Sequence, residues 1–516
     1  MRQNYLLPNI ERWKPEQGAI VKLDHVTQKF GDKVVLNELS LEIPVGKTTV
    51  IIGTSGSGKS VLIKTMNGLM LPTSGKCSLF GVDTAKCSTS QINDLRKRTG
   101  MILQDYALID SISVFENIAF PLVENTQMPE SKVRELVEES LKPLGLLDAI
   151  DKFPYELSGG MKKRVSFARA TIHQPELVFF DEPTTGLDPL MIVFVDGIIK
   201  ELRHKYDMTS VIISHDIQSI YRLADNVAFL HEGKIIFQGT VNEVRTTDIP
   251  EVRRFFDSSN KAVKSFSNAE SRNYVEVRDL HKSFAGKSVL KGVSLDVPER
   301  KISVIIGGSG SGKSVLLKHI LGLFTPDSGS VKVDGLEVTK CTEREREEMR
   351  THIGMLFQGA ALFDSMTVAD NIAFPLLERR HAVSRVEAQK RVDEMLERLK
   401  IQEIAKAWPA DISAGQRKRV GLARAIITKP RLMIYDEPTT GQDPIMIRYV
   451  DDMILEAHEA FDLTTIVISH DMVSTFRIAD QIAMVYQGVI AAHGTPEELM
   501  ACDHPEVQRM IHAQIP

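Results

Sequence analysis

A chain of 516 residues with 43% apolar and 25% charged side chains is long enough for more than one domain and ordinary for a globular protein. A formal net charge of -5 speaks against a nucleic-acid binder, and no uninterrupted apolar run approaches the ~20 residues that a membrane-spanning helix needs. The opening MRQNYLLPNIERWKPEQ lacks the apolar core of a secretion signal, and Cys77, Cys87, Cys341 and Cys502 fall at no metal or redox spacing, so a cytosolic protein with reduced thiols is expected.

An extension over 1–18 precedes AIVKLDHVTQKF, which reads as a strand, and a turn at Gly31-Asp32-Lys33. A second apolar segment leads into KTTVIIG, a β-branched run typical of a buried strand. That strand delivers the chain into GTSGSGKS, Gly53–Ser60, and SVLIKTMNGLM follows with helical spacing. GMILQ then ends on Gln104, ELVFFDEP ends a short strand on Asp181 and Glu182, and SVIISHD ends another beside His215. The polar, Ser- and Asn-rich stretch 244–272 reads as a connector with one helical turn.

The series then recurs. NYVEVRDLHKSF, a turn at Ala285-Gly286-Lys287 and KISVIIG lead into GGSGSGKS, Gly307–Ser314, followed by SVLLKHILGLF. GMLFQ brings Gln358, RLMIYDEP brings Asp436 and Glu437, and TIVISHD brings His470. Lys59 and Lys313 lie 254 positions apart, as do Gln104 and Gln358, whereas Asp181 and Asp436, like His215 and His470, lie 255 apart. One single-residue indel accounts for the change. Two copies of one nucleotide-binding unit are therefore expected, over 19–243 and 273–500, with a linker at 244–272 and a tail at 501–516. Strands alternating with helices predict an α/β fold with a mainly parallel sheet covered on both faces, and ligands bind at the carboxyl ends of such strands.

In GxxxxGKS the glycines let backbone N–H groups wrap a phosphate chain without Cβ obstruction. Lys59 and Lys313 then reach the β- and γ-phosphates, Ser60 and Ser314 offer hydroxyls to Mg²⁺, and the following helix adds its positive end. Asp181 and Asp436 end apolar strands where a carboxylate can hold the Mg²⁺ shell, and Glu182 and Glu437 are placed to polarise an attacking water. A histidine ending a strand can be satisfied by local backbone; repetition at matching spacing favours a γ-phosphate contact for His215 and His470. LSGGMKKRVSFARA from Leu157 and ISAGQRKRVGLARA from Ile412 open basic helices with a small-residue turn, an anion-seeking arrangement. Neither reads as a capping box. The basic residues Lys162, Lys163 and Arg164, with Arg417, Lys418 and Arg419, could equally form an exposed face.

Taken in order, glycine loop, glutamine, LSGG-type signature, Asp-Glu-Pro and Ser-His-Asp, each copy resembles the ATPase subunit of ABC transporters. The resemblance implies ATP and Mg²⁺ as cofactors and two tandem P-loop ATPase domains, each with an antiparallel β subdomain and a helical signature subdomain. It implies head-to-tail pairing, within one chain or in a dimer, each ATP lying between the glycine loop of one domain and the signature of the other. One site would join Gly53, Ser55, Gly56, Gly58, Lys59, Ser60, Gln104, Asp181, Glu182 and His215 with Ser413, Ala414, Gly415 and Gln416. The other would join Gly307, Ser309, Gly310, Gly312, Lys313, Ser314, Gln358, Asp436, Glu437 and His470 with Ser158, Gly159, Gly160 and Met161. Glutamates and histidines are the implied catalytic groups, and Ser60, Gln104 and Asp181, with Ser314, Gln358 and Asp436, the implied metal ligands. The adenine-stacking aromatic maps to Phe30 and Phe284, and the aspartate that crosses between halves to Asp188 and Asp443. Ala414 departs from the pattern, and if that position requires a positive φ the methyl costs about 1 kcal/mol or more.

The stretches ALIDSISVFENIAFPL and ALFDSMTVADNIAFPL, the signature, and TTGLDPLM and TTGQDPIM are similar to ATPases of the Mce-type and maintenance-of-lipid-asymmetry transporters. That implies phospholipid transport across a bacterial envelope, with an integral permease, lipid-binding Mce-type components, and a peripheral place on the cytoplasmic side of the inner membrane. No direct nucleic-acid contact is implied. A ribosome-acting ABC-F protein would carry a longer charged linker, and a sugar-importer tandem ATPase usually shows one degenerate copy.

Overall fold

A computed structural model describes residues 4–104, 106–257, 272–378 and 383–514. The chain forms two compact units, one built essentially from residues up to 257 and the other from 272 onward.

The first unit runs β1 (Val21–Phe30), β2 (Lys33–Ile43), β3 (Thr48–Ile52), α1 (Lys59–Met66), β4 (Ser74–Leu79), β5 (Val82–Asp83), α2 (Thr89–Arg96) and β6 (Thr99–Ile102). It continues α3 (Val114–Asn125), α4 (Glu130–Leu141), α5 (Gly159–Thr171), β7 (Leu177–Asp181), α6 (Pro189–Tyr206), β8 (Thr209–Ile213) and α7 (Ile217–Leu223). It closes with β9 (Asn226–His231), β10 (Lys234–Gly239), α8 (Val241–Thr246) and α9 (Pro250–Asp257). Strands β3, β7 and β8 are buried at every position, as strands covered on both faces must be. They lie in a six-stranded sheet of order β10-β9-β3-β8-β7-β6, parallel except for β9 with β10. A separate antiparallel sheet, β2-β1-β4-β5, alternates buried and exposed positions along β2.

The second unit repeats this with β11 (Asn273–Phe284), β12 (Lys287–Pro298), β13 (Ile302–Ile306), α10 (Lys313–Ile320), β14 (Ser328–Val333), β15 (Leu336–Glu337), α11 (Glu343–Thr351) and β16 (Ile353–Leu356). Then come α12 (Val368–Leu377), α13 (Arg385–Arg398), α14 (Ala414–Ile426), β17 (Leu432–Asp436), α15 (Pro444–Phe461), β18 (Thr464–Ile468) and α16 (Met472–Ile478). It ends with β19 (Gln481–Tyr486), β20 (Val489–Gly494), α17 (Pro496–Met500) and α18 (Pro505–Gln514). Its sheets are β16-β17-β18-β13-β19-β20 and β12-β11-β14-β15. The expected mainly parallel sheet, antiparallel β layer and helical layer are all present, twice. In the second unit the helices α12, α13 and α14 enclose a hydrophobic cluster of their own, around Val368, Ile372, Val392, Leu396 and Val420.

The chain-end expectations need adjustment. The stretch expected as connector from 244 holds the end of α8 and all of α9, whose Val252, Phe255 and Phe256 are buried in the first core. Spacing of three and four places these side chains on one helical face, so the segment belongs to the unit it packs against. The rest of the expected connector, 258–271, lies outside the described residues. Beyond 500, α18 likewise buries Val507, Met510 and Ile511. At the N-terminal extension, the Trp13 indole packs edge-on against Phe80, and its backbone N–H donates to Glu176 Oε2 at 2.6 Å. Glu176 is also paired with Arg98, Nε to Oε1 at 2.7 Å, and the Arg98 guanidinium lies 3.8 Å from the Phe80 ring centre. Arg12 donates to the carbonyls of Tyr206, Asp207 and Gln174. Among the described residues no helix is long and apolar enough to cross a membrane.

Candidate nucleotide site

Each glycine loop leaves the end of a fully buried strand, β3 or β13, and enters a helix whose first residue is the lysine, Lys59 of α1 or Lys313 of α10. Gly58 and Gly312 cap those helices at φ 103° and 111°, a left-handed conformation that glycine adopts without penalty. A Cβ at Gly53 or Gly307 would stand 2.2 Å from the carbonyl oxygen of Leu230 or Val485, so only glycine fits there. Lys59 Nζ donates to the Gly53 and Thr54 carbonyls at 2.9 Å each, and Lys313 Nζ to Gly307 at 2.7 Å and Gly308 at 3.0 Å. Burial lowers the pKa of both lysines, opposed by the glutamate and aspartate of the same unit. Ser60 and Ser314 follow as the second helical residues.

Asp181 and Asp436 are the last residues of β7 and β17. Burial raises both carboxyl groups, the adjacent glutamate adds to this, and nearby lysines pull the other way. Glu182 and Glu437 take φ 50° and 48°, a left-handed conformation that costs a non-glycine residue about 1 kcal/mol or more and gathers at functional sites. The Glu182 N–H donates to the Ile213 carbonyl at 3.1 Å and that of Glu437 to Ile468 at 2.9 Å, tying each to the strand that carries the histidine. His215 Nδ1 stands 3.7 Å from Glu182 Oε1, and His470 Nδ1 3.7 Å from Glu437 Oε2. Thr185 donates its hydroxyl to the other Glu182 oxygen, Oε2, at 2.9 Å, and Thr440 donates to Glu437 Oε2, the oxygen that also faces His470, at 3.1 Å. Burial pushes the Glu182 pKa up, but His215, Thr185 and Lys59 outweigh it and hold the group below its ordinary value. At Glu437 the His470 contact is the largest influence and the direction is the same. Both glutamates are thus ionised at neutral pH, the form a base needs.

The donor set also suits Mg²⁺. One carboxylate, a hydroxyl and a glutamine amide oxygen in each unit are hard oxygen ligands, and Mg²⁺ is held by one or two carboxylates together with nucleotide phosphates. Among the described residues there is no cluster of three or more His, Cys, Asp or Glu side chains poised to hold a metal by themselves. The bound ion would supply charge neutralisation between phosphate oxygens.

Gln104 and Gln358 lie exposed just past β6 and β16, and Phe30 and Phe284 lie exposed at the ends of β1 and β11. Phe284 packs against Phe324 with ring centres 5.5 Å apart. Asp188 and Asp443 sit in the turns before α6 and α15.

Ser158 caps α5, its Oγ accepting from the Met161 N–H at 3.4 Å, and Ser413 caps α14, accepting from Gln416 at 3.3 Å. Three signature expectations change. The second copy does form a capping box, because the Gln416 side chain accepts from the Ser413 N–H at 2.9 Å; serine followed three residues later by glutamine was the signal. Gly159 and Ala414 are the first residues of right-handed helices, so Ala414 carries no positive-φ strain. A Cβ at Gly159 would meet only the Tyr106 hydroxyl, at an ordinary 3.4 Å. Lys163 and Lys418 are not on an exposed face: they are 3% and 5% exposed and donate to the Thr185 carbonyl at 2.8 Å and the Pro438 carbonyl. Burial lowers both lysines to about 8.

Other positions were not singled out from sequence. Arg169 donates to the carbonyls of Ala107 and Tyr106, and Arg424 to those of Ala361 and Ala360, residues that all hold left-handed φ. The signature helix thereby grips the loop after each glutamine. Buried Asn117 and Asn371 bracket the same loops, each bonding the N–H and C=O of one loop residue, Ile109 or Phe363. The repeated ARA and DN/EN elements of the two copies carried that information.

A glycine loop before a helix, an acidic strand end and a glutamate–histidine pair, present in both units, define a P-loop nucleoside triphosphatase. The ABC transporter family profile matches residues 36–185 and 290–440, more than half of the sequence, and the chain belongs to that family. Its units are ATP-binding, ATP-hydrolysing domains that use ATP with Mg²⁺, and such subunits work with membrane permease components. An uncharacterized ABC transporter ATP-binding protein of Methanocaldococcus jannaschii is 29% identical, over 97% of this chain and 100% of its own. A putative ABC transporter ATP-binding protein of Vibrio parahaemolyticus is 31% identical, over 86% and 83% respectively. The intermembrane phospholipid transport system ATP-binding protein MlaF of Haemophilus influenzae is 37% identical over 225 residues, 44% of this chain and 85% of its own.

Proposed function

We propose that this chain is the motor of a lipid transporter of the bacterial envelope, coupling ATP hydrolysis to phospholipid movement through a separate permease. The observation that carries the lipid assignment is the 37% identity between one half of the chain and a phospholipid-transport ATPase. In this reading each ATP is shared. The glycine loop, Gln104, Asp181, Glu182 and His215 act with Ser413–Gln416; Gln358, Asp436, Glu437 and His470 act with the second glycine loop and Ser158–Met161. Glu182 and Glu437 take a proton from the attacking water, and His215 and His470 hold the γ-phosphate side of the site. Phe30 and Phe284 stack on adenine, and Asp188 and Asp443 link the halves.

The permease seats beside the glutamine loops. Exposed apolar side chains flank both glutamines in matching places: Leu103 and Ile109 in the first copy, Phe357 and Phe363 in the second. Nucleotide-dependent movement of these loops would be passed to the permease as a two-state change biased by γ-phosphate contacts. The test is purification from bacterial membranes, with mass spectrometry of the bound integral subunit and its lipids. A permease with Mce-type components and co-purified phospholipid is expected. Recovery with ribosomes, or with a periplasmic sugar-binding system, would replace the lipid reading.

A further inference from the structure

Asp196 lies in the middle of α6, 1% exposed, and Asp451 occupies the equivalent place in α15, also 1% exposed. Both carboxylates face the short helix that starts two residues after a site histidine. Ser219 Oγ donates to Asp196 at 3.1 and 2.9 Å, and Arg222 Nε donates to Asp196 Oδ2 at 2.7 Å. These partners are three residues apart on α7, so one carboxylate holds that helix across a full turn. In the second unit Ser474 Oγ donates to Asp451 Oδ1 at 2.5 Å and Arg477 Nη1 to Asp451 Oδ2 at 3.3 Å.

The grip continues to the histidines. Asp216, immediately after His215, caps α7 by accepting from the Ser219 N–H at 2.6 Å, and its own N–H donates to Ser214 Oγ at 3.1 Å. Asp471 does the same beside His470, with 2.8 Å to the Ser474 N–H and 3.0 Å to Ser469 Oγ. Arg222 Nη2 also lies 3.8 Å from Asp216 Oδ1. Serine and cap therefore connect each buried carboxylate to the histidine backbone through two hydrogen bonds. A seven-residue helix has little stability of its own, so its direction is set by what holds it. An apolar contact would bury the same face without desolvating a carboxylate and without fixing one orientation.

We propose that Asp196 and Asp451 are positioning residues that set the pose of His215 and His470 during ATP hydrolysis, through the helix that follows each histidine. The proposal rests on the role given to those histidines above. In the full-length protein, Asp196→Asn with Asp451→Asn is expected to lower kcat about tenfold while leaving KM for MgATP within about twofold. In a His215→Ala/His470→Ala background the same Asn pair is expected to change single-turnover hydrolysis by less than about twofold, because coupled residues are non-additive. A purely structural role would give the same loss in both backgrounds. Ser219→Thr/Ser474→Thr, which retains the hydroxyl, is expected to hold turnover within about twofold, and Ser219→Ala/Ser474→Ala to lower it about threefold. The serine pair carries the test should the Asn variants fail to fold. Unchanged kcat in the Asn or Ala variants, or an undiminished loss without the histidines, overturns the proposal. Full turnover in the histidine double variant alone would instead overturn the histidine assignment.

Discussion

Glu182 and Glu437 stand at the same 3.7 Å from the histidine of their own unit, yet much of what surrounds the two sites has diverged. The first signature has Gly159 and Met161 where the second has Ala414 and Gln416. Arg477 pairs with Asp452 as well as Asp451, and the position matching Asp452 in the first unit is Gly197. His173, buried beneath the N-terminal segment, corresponds to Thr428. The glutamates and histidines are fixed by strand ends, where a parallel sheet leaves little choice of position. Helix caps and outer packing tolerate substitution because several arrangements hold the same strand end. Because the two copies share this geometry, the proposed mechanism leads us to expect hydrolysis in both units despite the sequence drift.

The strongest way to break that conclusion is at the glutamates. Glu182→Gln together with Glu437→Gln should reduce phosphate release by about 10²–10⁴-fold, while each single variant keeps measurable turnover. Complete loss in one single variant would show that only one unit carries the chemistry. A second contrast is acid sensitivity. Burial lowers the His173 pKa from 6.5 to about 4, so the unfolded chain binds a proton between those values that the folded unit refuses. The associated stability is present above pH 6.5 and is lost as pH falls toward 4, in total about 3 kcal/mol. Thermal melts across this range should show the loss, and His173→Thr should flatten it.

Trp13→Ala should destabilise by about 1–3 kcal/mol, read as a lowered melting temperature, since it removes the ring that covers Phe80 and Gly81. The smallest effect is expected from Ala414→Gly. With no left-handed strain to relieve, turnover should change less than about threefold. A larger gain would mean that the methyl obstructs a phosphate rather than the backbone.

The strand, loop and helix order was legible because β-branched runs, glycine loops and acidic strand ends carry local signals that recur at fixed spacing. The unit boundaries were less so. The helices α9 and α18 follow the last strand motif in short, mostly polar stretches, although Pro-Glu-Val at 250–252 and 505–507 repeats at the same 255-residue offset. The buried lysines were hidden for a different reason. Three consecutive basic residues on a helix point in three directions, and sequence alone does not say which faces inward; Lys163 and Lys418 do, and they serve the turns that carry Thr185 and Thr440. Asp196 and Asp451 carry no local signal in the sequence, because the serines and arginines that hold them lie 23 and 26 positions further along the chain.

The guanidinium groups of Arg169 and Arg424 give the fold a mechanical property. Each holds two consecutive carbonyls beyond its glutamine and so couples that loop to the helix that the signature begins. In the proposed transport cycle a push delivered at the loop would pass along this link to the helix behind it, in the manner of a tie-rod, and cutting the tie should leave ATP turnover running while the stroke goes undelivered.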